Sequence, residues 1–219
     1  MGMDLVTAFP PFGLRIDAGP LVLRPITDEV LPELIEVALA GIHDPAQMPF
    51  YYPWTDASPE ALPTAFAQYH WGTRTRWSQS EWSLEFAVQH EGTIVGVQGF
   101  STKDYLVTRT GETGSWLGRE HQGRGIGTRM RQAICAFVFD QLDAAEITSG
   151  AFVDNPASLA VSRKVGYRVD GTRRLARRGE VAANQRLVLT PADFVRGDQI
   201  TVTGVEALRQ FIGLDKSAS

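Results

Sequence analysis

A single cysteine, Cys135, in 219 residues excludes an internal disulfide and any metal site assembled from several thiolates. Positive charge is in short supply: 21 Lys and Arg against 25 Asp and Glu leave a formal charge of −4, with a pI near 5.6. That balance excludes a chain whose main business is gripping nucleic acid or an anionic membrane. No uncharged apolar run approaches the roughly 18 residues of a membrane-spanning helix. The first residues lack the basic, apolar, small-residue order of a secretory signal, so a cytoplasmic location is expected. His43, His70, His90 and His121 stand at no metal-ligating spacing, and no metal is expected. Internal repeats and low-complexity tracts are missing too. What the chain has is 43% hydrophobic residues, enough for the core of one large domain.

The hydrophobic period orders the chain. Residues 1–20, punctuated by Pro10, Pro11 and Gly13, read as a loose or edge segment. Leu21 to Pro25 is a short strand. Thr27 and Asp28 are placed to cap a helix to about Ala40 with Leu31, Leu34, Ile35 and Ala38 on one face. A long loop rich in proline and aromatics follows, including Phe50, Tyr51, Tyr52 and Trp54. A second helix runs from Ser58 and Pro59 toward Arg76. Strands are then expected near Leu84–Gln89, Thr93–Phe100 and Glu112–Leu117. A helix covers Gly125 to Leu142, a strand Glu146 to Val153, and a short helix opens at Asn155-Pro156. Tyr167–Arg178 and Asn184–Leu189 form a hairpin about Gly179, and a last helix lies near Val205–Ile212. This alternation predicts a mixed α/β fold around one sheet.

Gln122-Gly123-Arg124-Gly125-Ile126-Gly127-Thr128 lies between a strand and an amphipathic helix. Glycine at alternate positions leaves main-chain N–H groups bare at the positive end of the helix dipole, which suits a phosphate. Arg124 is placed to add a charge at the rim. Taken alone, the segment is equally a glycine-rich turn without a ligand. The dinucleotide fingerprint wants another glycine spacing and an acidic partner about 20 residues on, and a P-loop wants Lys before its Ser or Thr; both fit poorly.

A second cluster, Asp154-Asn155-Pro156-Ala157-Ser158 through Lys164-Val165-Gly166-Tyr167, follows one helix and one strand later. Together the two resemble the Q/R-x-x-G-x-G/A acyl-CoA loop and the N-x-x-S…K-x-G-F/Y element of GNAT-superfamily N-acetyltransferases of the Rim-like branch. Glu112-Thr113-Gly114-Ser115-Trp116-Leu117 is similar to that branch's fourth strand, and Leu23-Arg24-Pro25 to its first. The resemblance covers most of 21–190. It implies a central, mainly antiparallel sheet flanked by helices, in three parts: an N-terminal segment (1–20), the acyltransferase domain (21–197) and a helical extension (198–219).

The resemblance also implies an activity: transfer of an acetyl or succinyl group from coenzyme A to an amine by direct attack in a ternary complex. The cosubstrate is then acetyl-CoA or succinyl-CoA. Partners are an amine-bearing small molecule or a protein N-terminus, with no nucleic acid and no membrane; a homodimer is a family-level expectation. Gln122, Gly123, Arg124, Gly125, Ile126, Gly127 and Thr128 are implied to hold the pyrophosphate, and Trp116 and Leu117 the pantetheine arm. The Leu117 N–H is the candidate donor to the thioester oxygen as charge develops there. Ser158 holds the position that protonates the departing thiolate, and Asn155 orients pantetheine or amine. The tyrosine that many relatives carry four residues after that serine is Ser162 here.

The base is open: Glu112 comes first, with Asp104 and Glu85 as alternatives. Where Rim-like enzymes acting on ribosomal proteins have a glutamate, spacing places Arg177, which weakens the case for a ribosomal substrate. Seven basic residues between Arg163 and Arg178 read as a solvated hairpin face, or as contacts for a phosphate or an acidic acyl tail. A rival reading keeps the fold but makes the protein a non-catalytic acyl-CoA sensor. A nucleotide-binding protein is a third.

Overall fold

The structure, a computed structural model, describes residues 3–215. The expected N-terminal segment and C-terminal extension fall within these bounds except for residues 1–2 and 216–219, which lie outside the described residues.

Nine strands form one sheet among the described residues. They are β1 (Arg15–Ala18), β2 (Leu21–Pro25), β3 (Glu81–His90), β4 (Thr93–Lys103), β5 (Thr110–Leu117), β6 (Glu146–Phe152), β7 (Arg168–Arg177), β8 (Glu180–Leu189) and β9 (Ile200–Thr203). Their order across the sheet is β7-β8-β6-β5-β4-β3-β2-β1-β9. Every pairing is antiparallel except β5 with β6. The mainly antiparallel mixed α/β architecture expected from sequence is therefore present.

The helices are α1 (Leu5–Ala8), α2 (Leu31–Leu39), α3 (Leu62–Thr75), α4 (Tyr105–Thr108), α5 (Ile126–Leu142), α6 (Pro156–Val165) and α7 (Val205–Ile212). Strand alternation sends Trp82, Leu84, Phe86 and Val88 of β3 to one face, where they pack with Ile126, Met130, Ile134 and Phe137 of α5. Ala87, Val97 and the partly buried Trp116 go to the other face, against Leu31, Leu34 and Ala38 of α2 and Leu62 and Phe66 of α3. Two apolar layers thus clamp the sheet.

The short helices α1 and α4 were not expected from sequence, and other details differ too. Arg15–Ala18 and Ile200–Thr203 are strands that pair with each other and extend the sheet beyond β2. Helix α2 begins at Leu31 without a side-chain cap, because Asp28 turns away to accept from Trp71 Nε1 at 3.1 Å and Arg74 Nη1 at 2.6 Å. Helix α3 begins at Leu62, with Pro63 in its first turn.

Candidate active site

The parallel pairing of β5 and β6 lasts only from Thr110↔Glu146 to Glu112↔Thr148. Beyond it the two strands part, because β5 stays with β4 to Leu117 while β6 follows β8 to Phe152. The vertex of this V is pinned by side chains. Ser149 Oγ donates to the Thr113 carbonyl at 3.1 Å. Thr113 Oγ1 pairs with the Tyr167 hydroxyl at 2.8 Å. Cys135 Sγ lies 3.4 Å from the same hydroxyl; burial pushes its thiol up to about 11, which fits the packing role its helix position suggests.

The Gly118 N–H donates to Val95 O at 2.9 Å. Antiparallel alternation from that rung commits the Trp116 backbone to β4 and turns the Ser115 and Leu117 N–H groups into the V. The expected oxyanion donor Leu117 therefore faces the cleft. Trp116 instead packs its ring against Trp54, centroids 5.7 Å apart, and Phe66 at 6.1 Å, on the α2/α3 face.

The glycine turn closes the open end of the V. Gly123 and Gly125 adopt φ of +73° and +80°, the left-handed region that a side chain disfavours. The N–H groups of Gly123, Arg124 and Gly125 meet no backbone acceptor among the described residues. With the free first-turn N–H groups of Ile126 and Gly127 they form a concave donor set at the α5 N-terminus. Thr128 differs, since its N–H already returns to Gly125 O at 3.1 Å. Gln122 is the other departure. Its Nε2 donates to Ile42 O at 2.7 Å and to Leu117 O at 2.9 Å, tying the end of β5 to the chain after α2. It braces the cradle rather than extending it.

Across the V, Asn155 Oδ1 caps α6 by accepting the Ser158 N–H at 3.1 Å. Its side-chain amide NH2 and the Ser158 hydroxyl carry no protein hydrogen bond among the described residues. Neighbouring Asp154 is locked to Arg177 through two hydrogen bonds of 2.8 and 2.7 Å, which hold its carboxyl below the usual range. Arg177 also donates to the Met48 carbonyl at 3.2 Å. Arg178 pairs with Asp56 and donates to Pro45 O at 3.1 Å. The β7–β8 tip thus holds the aromatic loop: Phe50 and Trp54 turn inward while Tyr51 and Tyr52 are exposed.

On the α2/α3 face a hollow of about 600 Å³ opens beside the V, lined in part by Tyr69, Ser83, Glu85, Ser101, Glu112 and Thr148. Glu85 on β3 stands opposite Gly99, and Gly99 opposite Gly114, in one row leading to the cleft. The Glu85 carboxylate leans over Gly99, where a Cβ would stand 2.8 Å from Oε2. At Gly114 a Cβ would meet nothing within 4 Å, so a bare lane runs from the carboxylate to the β5 edge. Burial raises the Glu85 carboxyl to about 7. The Glu85 charge, with burial, pushes the nearby Tyr69 hydroxyl up to about 12. Glu112 lines the same hollow but is exposed. Asp104 sits outside this lining, in a left-handed turn before α4.

Arg131, Ser115, Ser149 and Tyr69 were not singled out by sequence. Arg131 lies on the buried side of α5, donating to Ser149 Oγ at 3.1 Å and Ser115 Oγ at 2.9 Å. The apolar run Ala133–Phe139 carried the available signal, since a helix apolar all round hides even its charged positions.

The sheet, opened between β5 and β6, has the fold of solved acetyltransferases. Residues 20–168 match the family described as acetyltransferase (GNAT) domain, so the chain belongs to the GNAT acetyltransferase family. The Escherichia coli (strain K12) ribosomal-protein-serine acetyltransferase is 29% identical over 93 residues, 42% of this chain and 51% of that protein. The chain spans about half the length of the curated relatives it matches. Mycobacterium smegmatis RimJ in complex with CoA-disulfide superposes with a TM-score of 0.70 at 20% identity, over 90% of this chain and 92% of that one. RimL, a ribosomal L7/L12 α-N-protein acetyltransferase in complex with coenzyme A, gives 0.63 at 19%, over 79% and 95%. At such identities the likeness is one of fold. No helix among the described residues is long and apolar enough to cross a membrane, and no cluster of His, Cys, Asp and Glu there is placed to hold a metal.

Proposed function

We propose that the protein transfers a short acyl group, acetyl or succinyl, from a coenzyme A thioester to an amine by direct attack in a ternary complex. The observation that carries this reading is the continuity of three features: the N–H cradle Gly123–Gly127, the cleft-facing Leu117 N–H, and the Glu85–Gly99–Gly114 lane. The cradle takes the diphosphate and the free β5 edge takes the pantetheine amides. The amine then arrives from the hollow on the opposite face.

In the reaction the amine nitrogen forms a bond to the thioester carbon and the C–S bond breaks. The Leu117 N–H stabilises the oxygen as it becomes negative. Glu85, rather than exposed Glu112, receives the amine proton, directly or through one water in the glycine lane. A carboxyl near 7 is poised for that task at neutral pH. Ser158 donates a hydrogen bond or proton to the leaving thiolate, and the Asn155 amide orients pantetheine or amine. A base of this kind speaks against the sensor reading, which drew its force from the lack of one.

The names of the relatives make a protein N-terminus one acceptor class to test; a small amine is the other. The experiment is amine-dependent release of coenzyme A thiol, measured with acetyl-CoA and succinyl-CoA over a panel of peptides and small amines. Release above the hydrolytic background supports the reading. Tight coenzyme A binding with no release on any amine favours the sensor.

A further inference from the structure

Arg131 is 5% exposed. No carboxylate pairs with it among the described residues, and its neighbours are two serine hydroxyls and the Tyr167 ring, 5.9 Å from the guanidinium carbon. Its Nε is buried and meets no acceptor. Arg177, Arg178 and Arg186, at the surface or near it, by contrast each hold an aspartate. A buried cation without a counter-charge is costly, and hydroxyl dipoles offset only part of that cost.

Its place gives the cation a use. The phosphate cradle stands at the open end of the V, after Leu117, and the pantetheine arm runs back from it along β5. The acyl end therefore lies deepest, toward the vertex. Ser115 and Ser149, bridged by Arg131, stand beyond the Glu112↔Thr148 rung on the α5 face of the two strands, with Thr113 between that rung and Ser115. An acetyl methyl there would leave the guanidinium as it is. A carboxylate on the far end of the acyl chain would pair with it by charge-assisted hydrogen bonds.

We propose that Arg131, with Ser115 and Ser149, forms an acyl subsite that selects coenzyme A thioesters of short dicarboxylic acids, such as succinyl-CoA, over acetyl-CoA. The proposal rests on the acyltransferase reading above and names its donor class. In the transfer the terminal carboxylate stays intact: the C–S bond breaks, the N–C bond forms, and the one proton the amine loses passes to Glu85 and on to the thiolate, so coenzyme A leaves as the thiol.

The test is calorimetric titration of the 219-residue chain with coenzyme A, acetyl-CoA and succinyl-CoA, for the wild type and Arg131→Gln. Succinyl-CoA is expected to bind the wild type at least tenfold more tightly than acetyl-CoA. In Arg131→Gln that ratio falls to near one, while coenzyme A itself binds within about threefold of wild type. Equal affinities for the two thioesters in the wild type, with coenzyme A bound, overturn the proposal and leave the acyltransferase reading standing. A variant that loses all three ligands equally makes Arg131 a brace and also overturns it. Failure of the wild type to bind coenzyme A removes the acyltransferase reading itself. Should Arg131→Gln not fold, the wild-type ratio alone decides.

Discussion

The two sides of the β5 edge carry opposite chemistry. On the α5 side the cleft presents donors: the N–H groups of the glycine turn and the Arg131 guanidinium bridging Ser115 and Ser149. On the α2/α3 side the carboxylates that line the hollow, Glu81, Glu85, Glu112 and Glu146, outnumber its cations Arg76 and Lys103. Only the former suits an anionic cosubstrate, and only the latter a cationic amine. On the proposed reading, one sheet holds two charged reactants apart and lets them meet at a single opened seam, because two strands diverge after three paired rungs.

Removing the acceptor side's central group should break this contrast most severely. Glu85→Gln is expected to lower kcat/KM by about 100-fold or more, the usual scale of general base catalysis. Wild-type kcat/KM should rise as pH climbs through about 7, where the carboxyl loses its proton; the variant should lack that limb. Stability runs the other way. Because the folded carboxyl binds its proton more tightly than an unfolded one, stability contributed by the protonated form is lost between about 4.5 and about 7 as pH rises. Glu85→Gln should flatten that slope, as thermal melts across the range would show. An unchanged pH–rate profile would return the role to Glu112.

A smaller effect is expected on the donor side. Ser158→Ala removes one hydrogen bond to the departing sulfur, so kcat should fall about tenfold with acyl-CoA affinity little changed. A variant that lost affinity and kept kcat would make Ser158 a binding group only. The smallest effect belongs to the hairpin clamp. Arg178→Ala breaks a half-exposed pair with Asp56, a type of pair contributing about 0.2–1 kcal/mol. The acceptor KM should rise about two- to threefold, and the coenzyme A Kd should not move. A change in both would show that the aromatic loop serves both sides.

Much of this was legible in the chain itself, and the misses have physical causes. The element order from β2 to β8 apart from the short α4, the glycine turn and the Asn155 cap follow from local chemistry: period, glycine placement and a side chain reaching three residues ahead. Strands β1 and β9 did not, because four residues each give too little alternation, and β9 finds its partner β1 at the other end of the chain. Gln122 looked like a ligand residue because its second job, joining Leu117 to Ile42, depends on a contact 80 residues away. Glu85 and Arg131 were hard to rank for the same reason: a charged residue in an alternating strand or on a helix reads as solvent-facing until packing shows what covers it.

The central claim is that the glycine turn grips the coenzyme A diphosphate through its backbone. The most direct measurement is calorimetry of coenzyme A binding to the wild type and to Gly125→Val. Gly125 sits at φ +80° in open space, so valine alters the backbone conformation without a clash. The account predicts one coenzyme A per chain and a Kd weakened about tenfold or more in the variant. Equal Kd values for the two proteins, with both folded, would contradict it.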